Sequence, residues 1–474
     1  MSEYGLWIGG RQVRTGRVGT VAIPYDGAPF ASVHLAGAKE LEAAIQAAVR
    51  AKPVMRSMTA AGRSDILYRA CRLLTERKEE FGRTVASESG KPLREGLLEA
   101  ERSAQTLLFS AEQAHALTGE VVPMDASEAG AGRMAMTVRE PVGAIAAITP
   151  FNFPLNLSLH KIAPAIAGGN TVVHKPASAT PVCALLLARL FAEAGLPDGA
   201  LNVVPGPGAE IGDPLVDDPR IAMVTFTGSA EVGLRIRQRA GLKKVTLELG
   251  NNSALIVHDD ADLAECAARA VPGAFAHSGQ VCISIQRILV HRTVAEDFIA
   301  RFLKITDALK IGHPLDPSTQ VSSLITATEA SRAERWIRFA EAGGARLLAG
   351  GVRRGATLTP AVLDGVAAEA DIWRSEAFAP VACFRTYETL DEAISLMNAS
   401  PYGLQAGIFT RGLQSAFEVA CQAKVGGFLI NDVPQYRLDH MPYGGVKLSG
   451  MGREGPKYAI EEMTEPKLIS WRWK

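Results

Sequence analysis

The sequence has no excess of charge of either sign: Lys and Arg total 50, Asp and Glu total 50, and the formal net charge is zero. A nucleic-acid binder would carry a basic face, and a peripheral membrane protein a polybasic patch, so neither class is expected. No run of about 18 apolar residues occurs, which excludes a transmembrane helix. The longest small-apolar run, residues 144–148, reads as a buried strand. The start, Met1-Ser2-Glu3-Tyr4, is polar and acidic and does not read as a signal peptide. Cysteine is sparse, with six residues and no Cys-x-x-Cys pair. That argues against a structural zinc site and against a disulfide framework, so no metal is expected and a reducing, cytoplasmic setting is. Cys71, Cys183, Cys266, Cys383 and Cys421 read as small buried hydrophobes; Cys282 stands apart. Repeats and low-complexity linkers are also lacking.

What is present is a chain long and apolar enough for a large core. Its 474 residues are 47% hydrophobic, and the length suits about three domains of roughly 150 residues each. Helical spacing marks residues 39–52, 62–90 and 96–117; Ile66, Leu67, Ala70, Leu73 and Leu74 form one apolar face. From residue 142 the pattern changes to short β-rich runs at 142–149, 171–174, 201–204, 223–227, 245–249 and 254–257, with helices expected at 157–166, 181–194, 209–216 and 230–239. Such a βαβ series predicts a parallel sheet covered on both faces, with its ligand site at the carboxyl ends of the strands. A second α/β series starts near residue 263, with strands at 287–291, 382–386, 406–409 and 427–430 and helices at 294–309, 327–342 and 390–397. The Gly-Asn-Asn turn at 250–252 divides the two series. Residues 464–474 alternate like a strand with no local partner, the habit of a strand that joins another element or another subunit.

Four segments carry chemistry. Cys282 follows a helix end marked by Gly279, and a thiolate at such a dipole-rich turn is a plausible nucleophile, although most lone cysteines are structural. Glu248 ends an apolar strand, where a carboxylate is costly without a task or a partner; it reads equally as a general base or as a salt-bridge residue. Asn152, in Thr149-Pro150-Phe151-Asn152-Phe153-Pro154, is placed to donate to a developing oxyanion together with the Cys282 backbone N–H, or simply to make a turn before proline. Gly228-Ser229, with Gly233, brackets a strand-to-helix turn whose backbone N–H groups suit a pyrophosphate, although the spacing is not the three-glycine dinucleotide fingerprint.

Taken together with His174-Lys175-Pro176, Ser375-Glu376-Ala377-Phe378-Ala379-Pro380 and Pro442-Tyr443-Gly444-Gly445, these segments resemble, in order and over essentially the whole chain, the aldehyde dehydrogenase superfamily. The resemblance implies an α/β fold with two Rossmann-like parallel-sheet domains and a small β oligomerisation flap. It divides the chain into an NAD(P)-binding part (1–119 and 142–249), a catalytic part (250–455) and an oligomerisation segment (120–141 and 456–474), in a homodimer or homotetramer. It also implies roles: Cys282 the nucleophile, Glu248 the general base, Asn152 the oxyanion donor. Thr149, Pro150, Phe151, Lys175, Ser178, Gly228, Ser229, Gly250, Glu376 and Phe378 would contact NADP or NAD. The activity implied is oxidation of an aldehyde to a carboxylic acid through a thioester. The acylating branch, which passes the acyl group to coenzyme A, usually lacks the glutamate at 248; non-phosphorylating glyceraldehyde-3-phosphate oxidation is a third branch. A catalytically dead scaffold would have lost Cys282 or Glu248.

Two departures are small: Asn251 stands where a second glycine is frequent, and Ala379 where glycine is. A third is Ser178, where NAD-preferring relatives commonly place a glutamate. A glutamate there would repel a 2′-phosphate; Ser178 removes that repulsion and Lys175 supplies a cation, so good use of NADP is expected. The alternative is that Ser178 only caps the following helix. Arg102, Phe153, Arg437 and His440 are expected at the substrate tunnel, where the cations would favour an aldehyde with an anionic or hydroxyl group, of the lactaldehyde, glyceraldehyde or semialdehyde type. Arg102 and Arg437 read equally as surface or subunit-contact charges.

Overall fold

The computed structural model describes residues 1–473. Its first sheet has eight strands, in the order Gly450–Met451, Lys244–Glu248, Ile221–Thr227, Ala144–Ile148, Thr171–Lys175, Leu201–Val203, Leu6–Ile8 and Arg11–Val13. The five between 144 and 248 are mutually parallel. Taken in chain order they lie 3-2-1-4-5, so the direction of winding reverses between Ala144–Ile148 and Ile221–Thr227. In open α/β sheets the crevice beyond such a switch point binds the ligand. Every residue of Thr171–Lys175 is buried, as expected where helices cover both faces.

The second sheet has seven strands, ordered Arg346–Ala349, Ala361–Asp364, Val381–Tyr387, Ile285–His291, Ser253–Val257, Gln405–Phe409 and Gly427–Ile430. All are parallel except the first. Ser253–Val257, grouped by its sequence spacing with the first series, therefore lies near the middle of the second sheet. Its apolar run reads identically in either place, and only pairing with Ile285–His291 and Gln405–Phe409 decides.

A third sheet is antiparallel: Thr464–Arg472 pairs with Arg133–Pro141 along nine residues, and Val121–Val122 adds on the other side. All but the first residue of Thr464–Arg472 are exposed. The segment 62–90 forms two helices, Ala60–Glu76 and Lys78–Ser89, which meet at Arg77. Leu93–Ala116 packs against both. Among the described residues no helix is long and apolar enough to cross a membrane. Cys183, Cys266 and Cys383 are buried and Cys71 partly so, but Cys421 is exposed, contrary to expectation. It lies on the outer face of Leu413–Gln422, whose buried residues are Ala416 and Val419.

Candidate active site

Cys282 follows three successive residues in left-handed backbone: His277 (φ 46°), Ser278 (φ 55°) and Gly279 (φ 71°). The third must be glycine, because a Cβ there would stand 2.0 Å from the Ala379 carbonyl oxygen. For the other two this geometry costs about 1–3 kcal/mol each. Their neighbours hold it in place. The His277 N–H donates to Glu95 Oε2 at 2.8 Å. Ser278 Oγ donates to the Ser322 carbonyl at 3.0 Å and accepts from the Ser322 N–H at 3.2 Å.

The loop delivers Cys282 to the wall of a cavity of about 820 Å³, which Phe153, Arg102, Arg437 and Tyr443 also line. Cys282 Sγ is 2.9 Å from Tyr443 Oη. Asn152, at the carboxyl end of Ala144–Ile148, donates Nδ2–H to the Gln280 carbonyl at 2.9 Å and so ties the strand end to the cysteine loop. Burial pushes the Cys282 thiol up to about 12; Tyr443 and Arg437 oppose the rise, while Glu376 and Glu248 add to it.

Glu248 ends the strand Lys244–Glu248 and is 2% exposed, and neither carboxylate oxygen has a hydrogen-bond partner. Burial raises its pKa well above the ordinary carboxylate range, and the nearby charge on Glu454 adds to the shift. Glu454 is held ionised by Lys161 at 2.6 Å and Arg437 at 3.2 Å. A proton-hungry carboxylate without a partner, beside a thiol, has the character of a general base.

The switch-point crevice adjoins this site. Gly228 and Ser229 follow Ile221–Thr227, and Ser229 caps the helix Ala230–Arg239 by accepting from the Val232 N–H. Lys175 is 7% exposed, and the one hydrogen bond of its ammonium is 3.4 Å to the adjacent Pro176 carbonyl. A buried cation with so little compensation fits an anionic or hydroxyl-rich ligand. Glu376 Oε1 accepts from the Asn251 N–H at 3.0 Å, and burial raises the Glu376 carboxyl to about 7. Gly250 lies against it: a Cβ there would stand 2.4 Å from Glu376 Oε2 and would displace that carboxylate. Phe378 (φ 46°) meets Phe151 edge-on at 5.8 Å. Thr149 Oγ1 is bonded to His174 Nε2 at 2.9 Å, and Pro150 continues the same strand end. These groups fit a nicotinamide dinucleotide. Ser178 does not cap the next helix: Pro181 is the cap residue of Val182–Glu193, and the exposed Ser178 donates to the Gly206 carbonyl at 3.1 Å.

On the substrate side, Arg102 and Arg437 both line the cavity. Asp439 holds Arg102 by two hydrogen bonds, 2.9 and 3.1 Å. Arg437 stacks on the Tyr443 ring at 3.6 Å, and its buried Nε–H has no partner. His440 is not where the sequence suggested. In the segment 437–440 Arg437 and Asp439 turn inward, so Leu438 and His440 turn out; His440 is exposed and packs on Phe109 at 4.9 Å.

Sequence reasoning missed the charges beneath the cavity. Lys91 and Glu99 are wholly buried and 2.5 Å apart. Glu99 Oε1 also accepts from the Leu155 and Asn156 N–H groups, at 3.0 and 3.1 Å, and Lys91 Nζ lies 3.4 Å from the centroid of the Phe153 ring. Lys161 gave the clearest signal: it is the one Lys, Arg, Asp or Glu in Asn156–Ala167, a helix whose every residue is buried. Among the described residues, the one His/Asp group whose donor atoms converge, His258-Asp259-Asp260, follows Ser253–Val257 and does not line the cavity.

Comparison with known proteins gives a consistent picture. The profile of the Aldehyde dehydrogenase family matches residues 12–469. A 3-sulfolactaldehyde dehydrogenase of Priestia megaterium is 46% identical, covering 99% of this chain and 98% of its own. The crystal structure of aldehyde dehydrogenase 21 from Physcomitrella patens, in complex with its reaction product succinate, is 38% identical with a TM-score of 0.97, covering 99% of this chain and 98% of its own. That of an NADP-dependent glyceraldehyde-3-phosphate dehydrogenase from Bacillus halodurans, complexed with NADP, is 36% identical with a TM-score of 0.97 and full coverage of both chains, 100% each.

Proposed function

The chain belongs to the aldehyde dehydrogenase family, and we propose that within it the protein oxidises a short aldehyde carrying an anionic group, through a thioester on Cys282. It is an NAD(P)-dependent dehydrogenase of small polar aldehydes. The observation that carries the finer reading is the cavity wall, where the unpaired Arg437 Nε–H and the Asp439-anchored Arg102 share one space with the Cys282 thiol. Relatives point the same way: sulfolactaldehyde carries a sulfonate, and glyceraldehyde 3-phosphate a phosphate.

Cys282 attacks the aldehyde carbon. The developing oxyanion accepts hydrogen bonds from the second Nδ2–H of Asn152 and the backbone N–H of Cys282, donors fixed in advance by the Asn152–Gln280 bond. Gly228, Ser229 and Lys175 would hold the phosphate and ribose groups of NAD(P), and Glu376, Gly250 and Phe378 its nicotinamide end; when bound it would supply the acceptor for the hydride that leaves the former aldehyde carbon. Glu248 then takes a proton from the water that hydrolyses the thioester. A carboxylate at 248 favours water over coenzyme A as acyl acceptor, and the presence of both Cys282 and Glu248 argues against a non-catalytic scaffold.

The reading extends to assembly. The exposed strand Thr464–Arg472 carries Leu468, Ile469 and Trp471 on a sheet edge, a surface suited to a second copy of the chain in a homodimer or homotetramer. We place residues 120–141 and the terminal strand in that interface, the first sheet with its helices in cofactor binding, the second in catalysis, and the protein in the cytoplasm.

The test is kcat/KM for three- and four-carbon aldehydes bearing a sulfonate, phosphate, carboxylate or hydroxyl, set against propanal and butanal, in the wild type and in Arg102→Ala. A preference of at least tenfold for the anionic set, lost selectively in the variant, supports the reading. Equal losses on charged and uncharged substrates refute it.

A further inference from the structure

The mechanism above asks a thiol pushed up by burial to act as a thiolate at moderate pH. Glu248 and Glu376 face it with the wrong charge. Two groups oppose them. Tyr443 Oη is 2.9 Å from the sulfur, and Arg437 covers the Tyr443 ring at 3.6 Å.

We propose that Tyr443, with Arg437 stacked on its ring, is a catalytic hydrogen-bond donor that stabilises the Cys282 thiolate. The proposal rests on Cys282 being the nucleophile. A neutral thiol and a phenol can each donate to the other, but a thiolate can only accept, so on ionisation of Cys282 the bond must run from Tyr443 Oη–H to sulfur. Hydrogen bonds to a charged acceptor are the strong ones. The phenol does not ionise in competition, because burial raises its own pKa well above the ordinary value. A guanidinium on the ring face draws electron density from the aromatic system, which makes the O–H a better donor, and its field favours the thiolate directly.

The donor is rigid. The Tyr443 N–H donates to the Glu454 carbonyl at 3.1 Å and its carbonyl accepts from the Glu454 N–H at 2.7 Å. The ring is 3% exposed and packs with Val281, Ile283 and Leu404, the residues around the cysteine loop. Arg437 is fixed in turn by Glu454 at 3.2 Å, with His160 Nε2 at 3.4 Å. The charged and titratable groups facing the pair are thus Arg437, Glu248 and Glu376, with Glu454, Asp439, Lys161 and His160 behind them. No other hydroxyl or ammonium is hydrogen-bonded to the sulfur among the described residues.

The experiment is the pH dependence of Cys282 alkylation by iodoacetamide in the full-length enzyme, with the adduct mapped by peptide mass spectrometry, in wild type, Tyr443→Phe and Arg437→Lys. Phenylalanine keeps the ring and its packing and removes only the donor. The expected result is a midpoint about one pH unit higher in Tyr443→Phe, hence about tenfold slower alkylation at neutral pH, with rates converging at high pH. Arg437→Lys, which leaves the phenol but weakens the stacked cation, shifts the midpoint in the same direction by less. A merely structural role would move melting temperature and cofactor affinity but not this midpoint. A Tyr443→Phe profile that overlies wild type, or shifts to lower pH, overturns the proposal; if that variant does not fold, an unshifted Arg437→Lys profile does so. Complete alkylation of Cys282 with full retention of activity would instead overturn the nucleophile assignment.

Discussion

Lys91→Met tests whether the buried ion pair beneath the cavity holds the catalytic loop. Both partners have no solvent exposure, and their charged atoms are 2.5 Å apart. Removing one partner of a buried pair costs about 3–5 kcal/mol, because the other charge is left uncompensated. Here Glu99 keeps two backbone donors, the N–H groups of Leu155 and Asn156, and methionine replaces much of the apolar stem, so the low end, about 3 kcal/mol, applies. The contact of Lys91 with the Phe153 ring belongs to the same network and is not added separately. Over 474 residues the unfolding entropy is about 1 kcal/mol/K, so a loss of that size lowers the melting temperature by about 3 °C. Phe153 follows Asn152, so kcat/KM should also fall, by about tenfold, the loss of roughly one charge-assisted hydrogen bond's worth of positioning. The assay is scanning calorimetry at a fixed scan rate beside steady-state kinetics. Lys91→Met/Glu99→Gln, which removes both charges, should recover part of the melting temperature. A single variant within about 1 °C of wild type, or a double variant worse than the sum of the two singles, would refute the reasoning.

Three further outcomes are expected. Ser178→Glu should lower kcat/KM for NADP by about ten- to a hundredfold, the effect of a partly screened like charge near the surface, and leave NAD within about threefold; equal losses for both cofactors would contradict this. Ser178 makes a single side-chain hydrogen bond, to Gly206, so the fold should tolerate the change. Glu248→Gln should leave a pre-steady-state burst of reduced cofactor while steady turnover drops by about a hundredfold; wild-type turnover would count against Glu248. Burial raises both Cys282 and Glu248, and each acts in its deprotonated form, so activity should fall as pH drops and rise into the alkaline range. A profile that is flat from about pH 6 to about pH 9 would oppose that sign.

The site was legible where a strand or helix end carries a chemically costly residue. Glu248 ends an apolar strand, Asn152 follows one, and Cys282 follows a glycine that backbone geometry requires. The parallel core was legible because its runs are short, apolar and separated by helical spacing. What escaped depends on contacts between distant segments. Leu6–Ile8 joins the first sheet through the pairing of Val203 with Trp7, and Gly450–Met451 joins its other edge; neither run announces its partner. Asp439 gathers Arg102, Asn156 and His160 from two helices far away in the chain. His440 lies off the cavity wall because nothing local in a loop sequence fixes which of its side chains turn inward. Tyr443 lies in Pro442-Tyr443-Gly444-Gly445, but nothing local indicates that its hydroxyl meets the sulfur.

The central claim, a thioester on Cys282, is tested most directly by intact-protein mass spectrometry of Glu248→Gln mixed with a reactive aldehyde and excess NADP, quenched in acid within the burst. The account predicts a mass increase equal to the acyl group less the thiol hydrogen it replaces, mapped to the peptide containing Cys282 and absent from Cys282→Ala/Glu248→Gln. A burst of reduced cofactor with no adduct on Cys282, or an adduct that persists when Cys282 is replaced, would contradict it.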